Sequence, residues 1–188
     1  MPLMGADIAR GQAASTGSGQ AFPNRPVRIV TAEAGGGSDV PTRLIARGIS
    51  AGLGQQVIVE NRGGAGAQSA QIAAKAAPDG YTMLTIGASV WLLPFLQTMP
   101  YDPLKDFSPI TIATTSPNVL VVHPSLQVES VRDMIALAKA NPAKLNYGSG
   151  PGGTSPHLAA ELFKSMAGID LFRIPYRGSG PAMTALIG

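Results

Sequence analysis

Between Tyr147 and Leu158 the chain reads Gly148-Ser149-Gly150-Pro151-Gly152-Gly153-Thr154-Ser155-Pro156-His157. Hydroxyls, an imidazole and a run of glycines come together here. The stretch follows a short strand-like run, Leu145-Asn146-Tyr147, and opens into a helix in which Leu158, Leu162, Phe163 and Met166 recur at helical spacing. Ser155 suits the N-cap and Pro156 the first helical position. A glycine-lined strand-to-helix turn exposes backbone N–H groups at the positive end of a helix dipole, which is a site for an anion. Glycine lets the backbone approach a ligand closely, and Thr154, Ser155 and His157 add side-chain donors. The same residues also suit a tight αβ turn with an ordinary cap, and this segment alone does not choose between the two.

Other chemistries fail on particular residues. Gly148 to Gly153 matches G-x-G-x-x-G, but a dinucleotide site also needs an acidic residue at the end of the next strand, and Asp170 precedes that strand. A P-loop closes its glycines with Lys and a hydroxyl residue, whereas Gly37 is followed by Ser38-Asp39. Ser155 and His157 are two apart at a helix start, so they point to different sides, and no third group completes a triad. His123, His157 and the scattered Asp residues lack metal-ligand spacing. No metal or other cofactor is expected.

The 188 residues carry 14 basic and 11 acidic side chains, a net charge of +3 without basic runs, and aromatic content of 5%. Nucleic-acid binding gains little support from this, and small anions suit it better. Hydrophobic residues make up 45% and charged ones 13%, a globular rather than a disordered balance. Cysteine is absent, which excludes disulfides and thiolate metal sites. No apolar run approaches the roughly 20 residues of a membrane-spanning helix. Residues 1–21 lack the basic and apolar regions of a secretory signal and read as a disordered leader.

Elements that could position the turn follow from Phe22 onward. Strands are expected at Val27–Val30, Val57–Val59, Thr82–Ile86, Ile110–Ala113, Val119–Val122, Leu145–Tyr147 and Leu171–Ile174. Between them fall a helix bearing Val40, Leu44, Ile45, Ile49 and Leu53, an Ala-rich helix to Ala77 and a short helix around Trp91. Further helices span Val131–Ala140 and Pro156–Ala167, and one begins near Ser179. The alternation implies an α/β protein with mainly parallel sheets. It divides into a first lobe over 22–117 and a second over 118–188. In open α/β sheets, ligands sit beyond the carboxyl ends of the strands, and the turns expected there (Gly35–Gly37, Gly63–Gly66, Gly148–Gly153, Gly178–Gly180) are glycine-rich. The residues thus reach a cleft for a small anion.

The ordered set of short motifs is more specific. It comprises Phe22-Pro23-Asn24-Arg25-Pro26-Val27-Arg28, Gly35-Gly36-Gly37-Ser38-Asp39, Val59-Glu60-Asn61-Arg62 with Gly64-Ala65-Gly66, and Ala76-Ala77-Pro78-Asp79-Gly80-Tyr81. It continues with Tyr101-Asp102-Pro103, Lys105-Asp106-Phe107, Leu145-Asn146-Tyr147, Gly153-Thr154-Ser155, His157-Leu158 and Pro175-Tyr176-Arg177-Gly178. In this the chain resembles the solute-binding proteins of the tripartite tricarboxylate transporter, or Bug, family. The resemblance implies a two-lobed periplasmic binding protein of type II, a Venus flytrap. Such a protein captures a di- or tricarboxylate or related organic acid, is not an enzyme, and delivers its ligand to membrane permease subunits without entering the membrane itself. Carried over residue by residue, the cleft is lined by Ala34, Gly35, Gly36, Gly37, Ser38 and Asp39, and by Ala88 and Ser89. From the other lobe come Ser149, Gly153, Thr154, Ser155, His157, Tyr176 and Ser179. Asp39 is read as a helix cap, since a free carboxylate would repel an anion.

The chain departs from the family pattern where Thr31-Ala32-Glu33-Ala34 replaces Pro-Phe-x-Pro, which loosens one wall and sets the Glu33 charge beside an anion site. It stops at Gly188, where the family continues, so the second lobe is expected to be incomplete. Two alternatives remain at this point: an enzyme acting on a small carboxylated or phosphorylated metabolite through Ser155 and His157, and a fragment without function.

Overall fold

Val27, Ile29 and Val30 are at most 2% exposed, which makes β1 (Val27–Thr31) the centre of the first sheet. The computed structural model describes residues 21–188. But for Ala21, the expected leader lies outside the described residues. Strands β2 (Val57–Asn61) and β3 (Thr82–Thr85) pair parallel on either side of β1, in the order β2-β1-β3, with Val30 opposite both Glu60 and Leu84. Parallel neighbours need crossover connections, and α1 (Asp39–Leu53) and α2 (Ala67–Ala74) provide them.

Each face of the sheet has its own cover. Val27, Ile29 and Val57 pack with Ala46, Ile49 and Leu53 of α1. Leu84 packs on the other side with Ala70 and Ala74 of α2 and Val90 of α3 (Ser89–Leu96). The period of two along β1 and β3 sends alternate side chains to the two helical layers. On α1 the inward face is Thr42, Ala46, Ile49 and Leu53, while Val40 and Leu44 lie on the exposed side.

The second sheet holds β4 (Asn146–Ser149) and β5 (Phe172–Pro175), parallel, with Tyr147 opposite Arg173 and Ser149 opposite Pro175. Helix α5 (Ser155–Ala167) connects them, α4 (Val131–Ala140) precedes them and α6 (Ser179–Ile187) follows. Met134 and Ala138 of α4 pack on Ile169, Leu171 and Phe163.

Two expected strands are absent. Ile110–Ala113 and Val119–Val122 belong to a segment without regular structure, in which Ile110, Ile112, Val119 and Leu120 are more than half exposed. Neither run has a ladder partner among the described residues. A β-branched run favours a pleated, half-buried surface rather than a backbone shape of its own, so without neighbours it stays irregular. The Ala-rich helix also ends earlier than expected, at Ala74.

Truncating Ile29 to alanine is expected to lower the unfolding free energy by about 2–5 kcal/mol, measured by urea denaturation. In hydrogen exchange the amides of residues 110–121 should exchange fastest and those of β1 slowest, because exposed, unladdered backbone opens at almost no cost.

Candidate functional site

The parallel registers bring the ends of β1 and β2 together, at Thr31 and Asn61, and in the second sheet the ends of β4 and β5, at Ser149 and Pro175. Helices begin just beyond these ends. Five of them, α1, α2, α3, α5 and α6, start without a side-chain cap. By contrast α4 is closed in the ordinary way, with the Ser130 hydroxyl accepting from Asp133 N–H.

At the first turn, Ser38 is the N-cap residue of α1 and Asp39 the first helical residue, which corrects the reading of Asp39 as the cap. The buried Asp39 carboxylate accepts from Gly35 N–H (2.9 Å), Asn61 Nδ2 (2.8 Å) and Arg43 Nε (2.9 Å). Burial pushes its pKa up, but these hydrogen bonds and the Arg43 charge outweigh that and hold it below the ordinary carboxylate value. Asp39 therefore tethers the loop. Gly36 N–H closes onto Glu33 O, whereas the N–H groups of Gly37 and Ser38 have no partner among the described residues. Ala34 is exposed beside them. Glu33 Oε1 accepts from Ala65 N–H (2.8 Å), at the entry to α2. Ala88 is the N-cap residue of α3, and Ser89 is buried, its Oγ 3.5 Å from where a Cβ on Gly66 would lie.

At the second turn the N-cap residue of α5 is Thr154, one residue before the expected Ser155. The Thr154 hydroxyl donates back to Pro151 O (2.8 Å), and Ser155 Oγ pairs with Asn118 (2.9 Å to Nδ2). His157 Nδ1 accepts from Gly153 N–H (3.1 Å), so the neutral ring carries its proton on Nε2. Ser155 and His157 thus have separate partners. Tyr176 stands beside Gly148, its ring 3.2 Å from where a Cβ there would lie, and Tyr176 N–H bonds to Ser149 O (2.8 Å). Ser179 opens α6, with its N–H unpartnered among the described residues.

Arg173 was not anticipated. From β5 it reaches under the turn, donating through Nε to Ser149 Oγ (2.9 Å) and through a terminal nitrogen to Gly150 O (2.8 Å). A charged residue inside the run Leu171-Phe172-Arg173-Ile174 was the available signal. Asn118, in the irregular segment, and Asn61 and Arg43, around Asp39, carried no such mark.

The two sets of turns face each other. A Cβ on Gly180 would lie 3.5 Å from Gly35 O, and one on Gly178 would lie 3.9 Å from Glu33 Cβ. Gly153, at φ +81°, fits against α3, where a Cβ would lie 2.6 Å from Leu93 Cδ2. Surface hollows of about 340 Å³ (around Arg25, Arg28 and Tyr81) and about 550 Å³ (around Arg62, Gln71 and Lys75) are lined by none of the expected site residues.

A family model described as the tripartite tricarboxylate transporter family receptor matches residues 42–188. The chain belongs to this receptor family. The protein BugT of Bordetella pertussis is 37% identical over 100% of this chain and 59% of its own. A solved structure described as R. palustris Rpa4515 with adipate superposes with a TM-score of 0.84 at 38% identity, covering 88% of this chain and 56% of the other. Another, MatC (Rpa3494) from Rhodopseudomonas palustris with bound malate, gives a TM-score of 0.78 at 31% identity over 88% and 57%. The receptor-family chain has the α/β fold of two-lobed periplasmic binding proteins, and spans less than three-fifths of the length of these relatives. No helix among its described residues is long and apolar enough to cross a membrane.

Partial burial pushes the His157 pKa down, the Arg173 charge adds to this with Lys164, and Glu161 opposes them. The imidazole titration, followed by NMR, should have its midpoint below the ordinary value of about 6.5. The Gly153 amide resonance should move with it, since a protonated Nδ1 cannot accept. In the unfolded chain the ring binds its proton at higher pH. Its contribution to stability is therefore complete above the unfolded value and lost as pH falls through the folded one.

Proposed function

We propose that this receptor-family chain binds a small organic carboxylate between the facing turns, in the periplasm, for delivery to the membrane subunits of a tripartite transporter. The observation that carries this reading is the set of uncapped helix starts gathered at one edge of each sheet, opposite one another. Unpaired N–H groups at a helix N-terminus favour negative charge. Family membership and the adipate and malate of two solved neighbours agree with it.

The proposed anchors are the backbone of Ala34 to Gly37 with Ser38 and Ser89 on the first lobe (22–117), and Ser149, Gly153, Thr154, Ser155, His157, Tyr176 and Ser179 on the second (118–188). Asp39 and Arg173 act behind these residues, holding the turns in shape. Ala88 contributes through its position at the start of α3. No observation favours an enzymatic reading: Ser155 is hydrogen-bonded to Asn118 and His157 to the Gly153 amide, and neither contact activates a nucleophile.

Titration calorimetry with C4–C6 dicarboxylates and aromatic acids is expected to detect binding of at least one. A folded protein that gives no heat and no thermal shift with any of them would overturn the proposal. Gly153→Ala, strained at positive φ and pressed on Leu93, should weaken that binding at least about tenfold, or roughly 1.4 kcal/mol.

A further inference from the structure

Helix α2 has a buried face and an open one. Ser69 and Ala70 are buried, and Ala70 and Ala74 pack with Leu84 of the first sheet. Gln68, Gln71, Ile72 and Lys75, spaced three and four apart, share the open face and with Arg62 line the hollow of about 550 Å³. The hollow of about 340 Å³ adjoins it. Ala76 and Ala77, which follow Lys75, lie in its wall with Arg28. Arg28 and Arg62 reach the two oxygens of one carboxylate, Glu60. The two hollows therefore flank the same carboxylate and the same end of α2.

The charges of this surface do not cancel. Arg25 is paired with Asp79. Glu60 serves Arg28 and Arg62 together, which leaves one of those two charges over. Lys75 is exposed and in no ion pair among the described residues. Across the two hollows four cations meet two carboxylates, an excess of two positive charges. Glu33, at the opposite end of α2, has its carboxylate on Ala65 N–H. Pockets of roughly 300–1,000 Å³ that hold a small organic ligand are mostly apolar, whereas Ile72 is the only apolar residue lining the larger hollow. Binding to lipid headgroups is marked by about four to eight clustered cations, and two net charges fall short of that.

We propose that the open face of α2, from Arg62 to Lys75 with the adjoining Arg28, docks an acidic polypeptide segment of a partner protein. Lys75 and the arginines take its carboxylates, and the Gln68 and Gln71 amides offer both a donor and an acceptor to its backbone. Charge complementarity of this kind raises the association rate and sets orientation more than it tightens the complex. That suits a receptor that meets an acceptor and leaves it again. The inference goes further than the delivery reading above, on which its choice of a protein partner rests, and its residues lie outside the proposed ligand anchors.

The test is fluorescence anisotropy on the full 188-residue chain with a labelled hexaglutamate peptide and a neutral Gly-Ser hexamer. The acidic peptide alone should bind, and raising the salt from about 20 to about 200 mM should weaken it at least about tenfold. Lys75→Glu should weaken it about tenfold as well. Lys144→Glu, the same charge change at another exposed lysine, should leave it within about twofold. NMR shift changes caused by the peptide should fall on Arg62 and residues 68–75. No binding at low salt, equal loss in the two variants, or shift changes centred on residues 34–38 and 149–157 would overturn the inference. So would binding to vesicles of about 30% phosphatidylserine in place of the peptide. If Lys75→Glu does not fold, the wild-type shift map decides. Carboxylate binding, measured by calorimetry, should be unchanged in Lys75→Glu, so the docking surface and the cleft can fail separately.

Discussion

Parallel pairing is the constraint on which the rest of the structure depends. Because β2 and β3 both run parallel to β1, the strands end on the same side, and every return connection must pass over a face of the sheet. The turns that follow the strands then have no choice but to gather at one edge. The same holds for β4 and β5, whose ends at Ser149 and Pro175 are in register. A cleft between two such edges is lined by helix starts, whatever side chains they carry.

What those helix starts lack is as telling as what they contain. A cap is ordinarily worth about 0.5–2 kcal/mol, and α4 has one. At the turns themselves, polar side chains that could have capped are engaged elsewhere: Thr154 with Pro151, Ser155 with Asn118, and Ser38 with Thr31. The acidic group nearest the first turn, Asp39, is drawn back onto Gly35, Asn61 and Arg43. The turns are stiffened from behind, while N–H groups of Gly37, Ser38 and Ser179 are left without partners among the described residues. That division suits an anion site, where donors must be held in shape but not consumed.

Much of this was legible in the sequence. The five strands that formed are those in which apolar runs alternate with helical periods, and the glycine turns stand where the α/β rule places them. The two runs that failed, Ile110–Ala113 and Val119–Val122, have good strand composition but no neighbour to pair with. In the site, the glycines and hydroxyls were visible as a motif. Arg173 was not, because its role arises from lying opposite Tyr147 across a strand pair, which brings it beneath a turn 24 residues earlier in the chain. Glu33 was visible as a charge, but its hydrogen bond to Ala65 depends on two turns meeting in space.

By itself the sequence determined the local conformations and their order. Positive-φ turns at Gly66 and Gly153, the amphipathic helices and the apolar strands follow from backbone freedom and side-chain period, both properties of neighbours along the chain. Tertiary structure decided which N–H groups stay free, which carboxylates are neutralised, and which strands exist at all. Those outcomes depend on partners far apart in sequence, such as Asn61 with Asp39 and Asn118 with Ser155. A hydrogen bond or a counter-charge acts over a few ångströms, and only the folded chain brings such groups that close.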